Sequence, residues 1–205
     1  GVGASIALVV AGVATLISVA AGVLLGAAAG YLGGYVDEIV MRAMDGLLAF
    51  PALLLAIAVV AALGPGHWHA AIAIGVVGIP VFARLTRGVV LSIASREFVS
   101  AVRAQGATSL YILFRHVMPN TMAPIIVQAS LGVGRAILAE AGLSYLGLGT
   151  QPPVASWGKM LQEAQGFMGQ APWMAIFPGI AIALTVLAFN MLGDGLRDLL
   201  DPRLR

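Results

Sequence analysis

Cysteine is absent, so disulfides and thiolate metal sites are excluded and the chain carries no redox clue to its compartment. Charge is scarce: Asp, Glu, Lys and Arg make up 10% of the 205 residues, against about a quarter in an ordinary soluble domain. No charged side chain occurs from Gly1 to Val36, and none from Gly46 to Ala83. Signatures of chemistry are missing too. There is no Walker A phosphate loop, no HExxH zinc pair, no Ser-His-Asp arrangement and no pair of intramembrane carboxylates. The chain is not expected to catalyse a reaction itself, and nothing in it points to nucleic acid.

What is present is 60% hydrophobic residues and 26 glycines, the composition of an all-α polytopic membrane protein formed by one domain over residues 1–205. A span needs about 20 apolar residues to cross roughly 30 Å of hydrocarbon, and five such spans are predicted. The first runs near Ile6 to Gly30, where Gly22, Gly26 and Gly30 recur at four-residue spacing and invite close approach of a neighbouring helix. The segment GGYVDEIVMRAMDG, with Asp37, Glu38, Arg42 and Asp45, reads as a short solvated amphipathic turn rather than a second docking surface. Residues 46–83 hold two spans and a tight hairpin at Gly64-Pro65-Gly66, with Pro51 near the start of one and Pro80 near the end of the other. His67 and His69 suggest a metal only superficially, since no third ligand is nearby, and with Trp68 they fit an interfacial loop. The sequence opens GVGASI without methionine or a basic leader, so no signal peptide is predicted and an upstream portion, including a sixth span, is expected.

The fourth span, Thr121 to about Gly149, alone carries charges, Arg135 and Glu140. Intramembrane charge is costly and normally faces protein or a water-filled cavity. Arg135 is therefore the candidate for lining a transport path and meeting a substrate carboxylate, although snorkelling or pairing with a companion subunit is a competing role. Glu140 is placed with it on the path, nearer the far surface and five residues on, off the same helical face. Residues 150–172 are predicted to form an external loop with one short amphipathic helix and Trp157 as an interfacial anchor; Trp173 to about Leu192 is the last span, followed by a soluble tail.

One charged, amphipathic stretch separates these apolar blocks: residues 95–120, SREFVSAVRAQGATSLYILFRHVMPN. Ser95 is a candidate N-cap, Glu97 falls in the first turn where the helix dipole favours an acid, and Phe98, Ala101, Val102 and Gln105 follow helical spacing. Gly106 permits a turn, Thr108 or Ser109 can cap a second helix bearing Leu110, Leu113, Phe114 and Val117, and Pro119 with Asn120 is expected to break it. If this helical hairpin is cytoplasmic, so are Arg42, Arg84, Arg87, Arg96, Arg103, Arg115, Arg197, Arg203 and Arg205; of the 11 basic residues only Arg135 and Lys159 lie elsewhere.

The hairpin resembles the EAA loop of ABC importer permeases, an acidic-Ala-Ala triplet followed by a glycine and a distant proline. Ser100, Ala101, Val102, Gly106 and Pro119 occupy those places; Ala101, Gly106 and Pro119 match, while Ser100 replaces the acid and Val102 an alanine. The strings ARAQGA, FRHVMPN, GLSYLGLGTQPP, SWGKML and FNMLGDGLRDLLDPRLR are similar to the dipeptide, oligopeptide and nickel branch, specifically its second permease subunit. The resemblance implies the type I ABC importer transmembrane fold with six spans in the whole subunit. It also implies a homologous second permease, two ABC ATPase subunits that bind ATP and magnesium, an external substrate-binding protein, and a bacterial or archaeal cytoplasmic membrane. The hairpin would act as a lever, with Glu97, Phe98, Ser100, Ala101, Val102, Arg103, Gly106, Ala107 and Pro119 serving ATPase coupling; Glu97 or Arg103 would replace the charge missing at Ser100. Peptides are the expected cargo. Nickel chelates, a proton-coupled carrier using Arg135 and Glu140, and a purely structural pore subunit are the alternatives.

Overall fold

A computed structural model describes residues 2–200; Arg203 and Arg205 lie outside the described residues. In chain order the helices are α1 (Val2–Leu32), α2 (Gly34–Leu48), α3 (Ala52–Leu63), α4 (His67–Ala94), α5 (Glu97–Ala104), α6 (Ser109–Ile112), a π-helical turn (Leu113–Val117), α7 (Met118–Tyr145), α8 (Trp157–Ala164) and α9 (Trp173–Leu200). Among the described residues, four helical stretches are long and apolar enough to cross a membrane, and the bent pair α2 and α3 makes a fifth when counted as one broken span.

The glycine stripe on α1 does what its spacing predicts. α1 and α4 run parallel, with Gly22 against Ile79 and Phe82, Gly26 against Ala83 and Thr86, and Gly30 against Arg87 and Val90. A β-carbon at Gly22 would stand 2.5 Å from that of Phe82, one at Gly30 would stand 2.9 Å from the Arg87 carbonyl oxygen, and one at Gly26 would overlap the Ala83 carbonyl. Above the stripe the Ser18 hydroxyl is shared between the carbonyls of Ala14 (3.0 Å) and Gly75 (2.7 Å), tying the two helices without burying an unpaired donor. The surrounding core is built largely from small side chains, among them Ala11, Ala14, Ala70, Ala71 and Ala73, because helices packed this closely leave little room for others.

The polar segment after α1 is not the turn expected from its composition. It forms α2, a helix of 15 residues, and α3 leaves it at 92°. The break is at Pro51, which sits at the N-cap of α3 with φ −55° and ψ 130° and forces the preceding residue out of helical conformation. At 12 residues, α3 covers only about 18 Å. The end of α2, at right angles to α3, brings Leu47 and Leu48 to a cavity shared with Val77 and Val81 of α4. The charges that suggested solvent are used against α4: Arg87 grips both Asp37 oxygens (2.5 Å each) and Arg84 holds Asp45 (2.5 Å), while Glu38 pairs with Arg42 along α2 at the surface.

Those pairings also explain why the third span does not end at Ala83. With Arg84 and Arg87 neutralised, α4 continues to Ala94, so Pro80 lies in its buried interior rather than near its end. α9 likewise continues past Leu192 to Leu200, making part of the expected tail helical. On the opposite side His69 donates through Nδ1 to the Gly64 carbonyl (2.9 Å). α8 is not a loose external segment: Ser156 caps it by accepting from the Lys159 amide, and Gly158 rests on the Ala141 backbone of α7. Trp157, expected at the lipid interface, is half-buried against the main core instead.

Candidate coupling hairpin and transport cavity

The hairpin's first helix is capped one residue later than its sequence suggests. Ser95 closes α4, donating to the Ser92 carbonyl (3.1 Å), and Arg96 stands at the N-cap of α5 without a side-chain cap. Glu97 is in the first turn and Arg103 in the last, each complementing the helix dipole. Gly106, at φ +84°, reverses the chain; no atom crowds the place of a β-carbon there, so the requirement is conformational. Thr108 then caps α6 by accepting from the Tyr111 amide (3.4 Å).

Pro119 does not break the second arm. Helix runs unbroken from Ser109 to Tyr145, because Pro119 falls at the start of α7, immediately after the π-helical turn. Its missing N–H falls where the π-helical turn has already altered the hydrogen-bond ladder, so the helix accommodates the proline in mid-course. The arm is therefore one body with the fourth span.

Two faces of the hairpin are distinct. Val99, Ile112 and Val117 are fully buried, with Val102, Ala107 and Leu113 packed beside them, against Ala27 of α1 and Val90 and Ile93 of α4. Facing away are Phe98, Leu110, Tyr111 and Phe114, at 41%, 67%, 53% and 65% exposure, alongside exposed Glu97, Ser100, Ala101 and Arg103. Val102 and Ala107 thus point into this chain's own core, which corrects the placement of Val102 on the same outward face as Phe98 and Ala101. The buried anchor Val99 was missed: its i, i+3 partner Val102 was legible, but Phe98 offered a competing phase of the same period.

Two cavities lie along α7. One, of about 270 Å³, is enclosed by α1, the α2–α3 bend, α4 and α7, and includes Thr15, Ser18, Phe50, Gln128 and Arg135. The other, about 770 Å³, lies between α4, α7 and α9 and includes Arg96, Asn120, Pro124, Gln128 and Arg197. Gln128 borders both. Asn120, Pro124, Gln128, Leu131, Arg135 and Ala139 form one stripe of α7, about 28 Å long at 1.5 Å per residue, close to the full hydrocarbon thickness of roughly 30 Å. Arg135 is exposed on this stripe.

Glu140 borders neither cavity and is entirely buried. Its Oε1 accepts from the hydroxyls of Ser144 (2.6 Å) and Thr150 (3.1 Å), and the Thr150 amide donates to Ser144 Oγ (2.9 Å), fastening the end of α7 to the following loop. Replacing Glu140 by alanine should leave both hydroxyls without their acceptor, at about 1–3 kcal/mol each, whereas glutamine keeps an acceptor. Thermal melting of the purified protein should therefore drop sharply for Glu140→Ala and much less for Glu140→Gln.

The model of the family described as binding-protein-dependent transport system inner membrane component matches residues 22–205. The chain is 52% identical over 184 residues to the dipeptide transport system permease protein DppC of Alkalihalophilus pseudofirmus, covering 90% of this chain and 60% of that protein. It is 50% identical over 204 residues to the glutathione transport system permease protein GsiD of Escherichia coli, covering 100% of this chain and 67% of that one. The chain thus spans about two thirds or less of the length of these curated relatives. Its fold superposes on a chain of the MetNI methionine ABC transporter in an inward-facing conformation with a TM-score of 0.80 at 16% identity, over 97% of this chain and 94% of that one.

Proposed function

The chain belongs to the binding-protein-dependent transport system inner membrane components, and from that membership we propose that it is a permease subunit of an ATP-driven ABC importer for peptides. In this reading it supplies half of the path across the cytoplasmic membrane. A homologous permease supplies the other half, two ATPase subunits holding ATP and magnesium dock on the cytoplasmic hairpin, and an external binding protein delivers cargo. The observation that carries the reading is the two-faced hairpin. Val99, Ile112 and Val117 lock it onto α1 and α4, while Phe98, Leu110, Tyr111 and Phe114 stay uncovered on its outer side.

An elbow gripped on one side and continuous with α7 transmits rigid-body motion into the stripe that lines both cavities. Glu97 and Arg103, exposed at the two ends of α5, are the charges available for the ATPase contact where Ser100 offers none. Arg135 and the α7 stripe form the cargo side, with Glu140 holding the outer loop in register. The reading is tested with Gly106→Val in the assembled transporter. A β-branched residue at a left-handed position costs about 1–2 kcal/mol and is relieved by re-angling the elbow. ATP hydrolysis should continue while peptide uptake in proteoliposomes falls several-fold; unchanged uptake per ATP would count against the lever.

A further inference from the structure

Three arginines border the two cavities, Arg135 on the smaller and Arg96 and Arg197 on the larger, and among the described residues no Asp or Glu borders either. Asp37 pairs with Arg87, Asp45 with Arg84, and Glu140 accepts from Ser144 and Thr150, while Glu97, Asp194 and Asp198, near Arg96 and Arg197 in the chain, line neither cavity. A cation entering such a route would meet like charge at both levels with no carboxylate among the described lining residues, a repulsion that grows as the dielectric falls. A carboxylate would meet a charge-assisted donor at each level.

The spacing suits passage. Gln128 is shared by both cavities and lies seven residues before Arg135 on the same face of α7, two turns or about 10 Å toward the cytoplasmic end. Arg96 sits at the start of the coupling helix and Arg197 in the last turn of α9, so the second pair of charges is at the inner mouth.

We propose that this half-path selects cargo with a free carboxylate, which Arg135 holds in the outer half of the span, Gln128 bridges, and Arg96 with Arg197 receives at the inner mouth. The inference rests on the importer reading above and adds a cargo class and an order of contacts. It makes Arg96 and Arg197 positioning residues for release, a role separate from the docking face of the hairpin.

The test is ATP-dependent uptake of a radiolabelled dipeptide with a free C-terminus by the complete transporter in proteoliposomes. The variants are Arg135→Lys, Arg135→Gln, Arg135→Glu and the double change Arg96→Gln with Arg197→Gln; co-purification and melting of the assembly serve as the folding control. Arg135→Gln and the double change should each lower uptake about tenfold, the loss of one charge-assisted contact. Arg135→Glu should abolish it, and Arg135→Lys should retain most of it. Uptake within about twofold of the unaltered transporter for the glutamine variants, or a lysine variant as poor as glutamine, overturns the proposal while leaving the importer reading in place. Absence of ATP-dependent uptake by the unaltered transporter overturns both.

Discussion

Gly26→Leu should leave almost no folded permease. The β-carbon alone would overlap the Ala83 carbonyl and come within 2.9 Å of Thr86 Cβ, so the obstacle is backbone and a branched side chain rather than a flexible end that could swing aside. Relief requires α1 and α4 to separate, and the separation would propagate to Gly22 and Gly30 on the same stripe and to the Ser18 hydrogen bonds beyond them. Overpacking a core costs about 1–3 kcal/mol and more where backbone cannot yield. In a membrane, where little hydrophobic force holds helix to helix, such a loss removes the packing that defines the bundle. The internal control is Gly12→Leu on the same helix, where nothing lies within 4 Å of the added carbon. Detergent-solubilised yield and size-exclusion profile should be near normal for Gly12→Leu and collapse for Gly26→Leu.

The double change Phe98→Ala with Phe114→Ala should detach the ATPase subunits. Both rings stand on the outer face of the hairpin and contribute little to the chain's own core, so their removal should barely alter the melting of the isolated permease. Burying a Phe side chain against a partner is worth about 1.5–3 kcal/mol, and a pair of them corresponds to a hundredfold or more in affinity, at roughly 1.4 kcal/mol per factor of ten. Copurified ATPase and cargo uptake should fall together. Val99→Ala is the contrasting change: it empties a buried site behind the hairpin and should lower the permease's own stability, by about 1–3 kcal/mol for a medium-sized side chain.

Most of the span count could be read from the residues, because uncharged runs of membrane length have few other uses, and the glycine stripe announced a close helix neighbour by spacing, though not that the neighbour is α4. The errors have separate causes. Charge was taken as a mark of solvent, yet Asp37, Asp45, Arg84 and Arg87 neutralise one another across α2 and α4, which turned an expected loop into a helix and lengthened the next span. Proline was taken as a helix breaker, yet Pro119 falls where a helix tolerates it and the π-helical turn absorbs the change of register. At the hairpin, composition located the element and its turn glycine, but two phases of the same period competed, and only tertiary contact with Val90 and Ile93 decided that Val99 faces in and Phe98 faces out. The cavity stripe was half legible: Arg135 stands out as a charge in a span, whereas Gln128 gains meaning only from lying between two cavities.

Because these 205 residues contain no cysteine, one introduced thiol is unique among them, and Ala101→Cys places it at the centre of the exposed side of α5. The decisive measurement is thiol cross-linking from this position in the assembled transporter within membrane vesicles of known orientation. The hairpin account predicts a cross-link to an ATPase subunit whose yield changes when ATP binds, with the thiol reached by impermeant reagent only from the cytoplasmic side. Labelling from the external side, or cross-linking to the external binding protein in place of the ATPase, would contradict it.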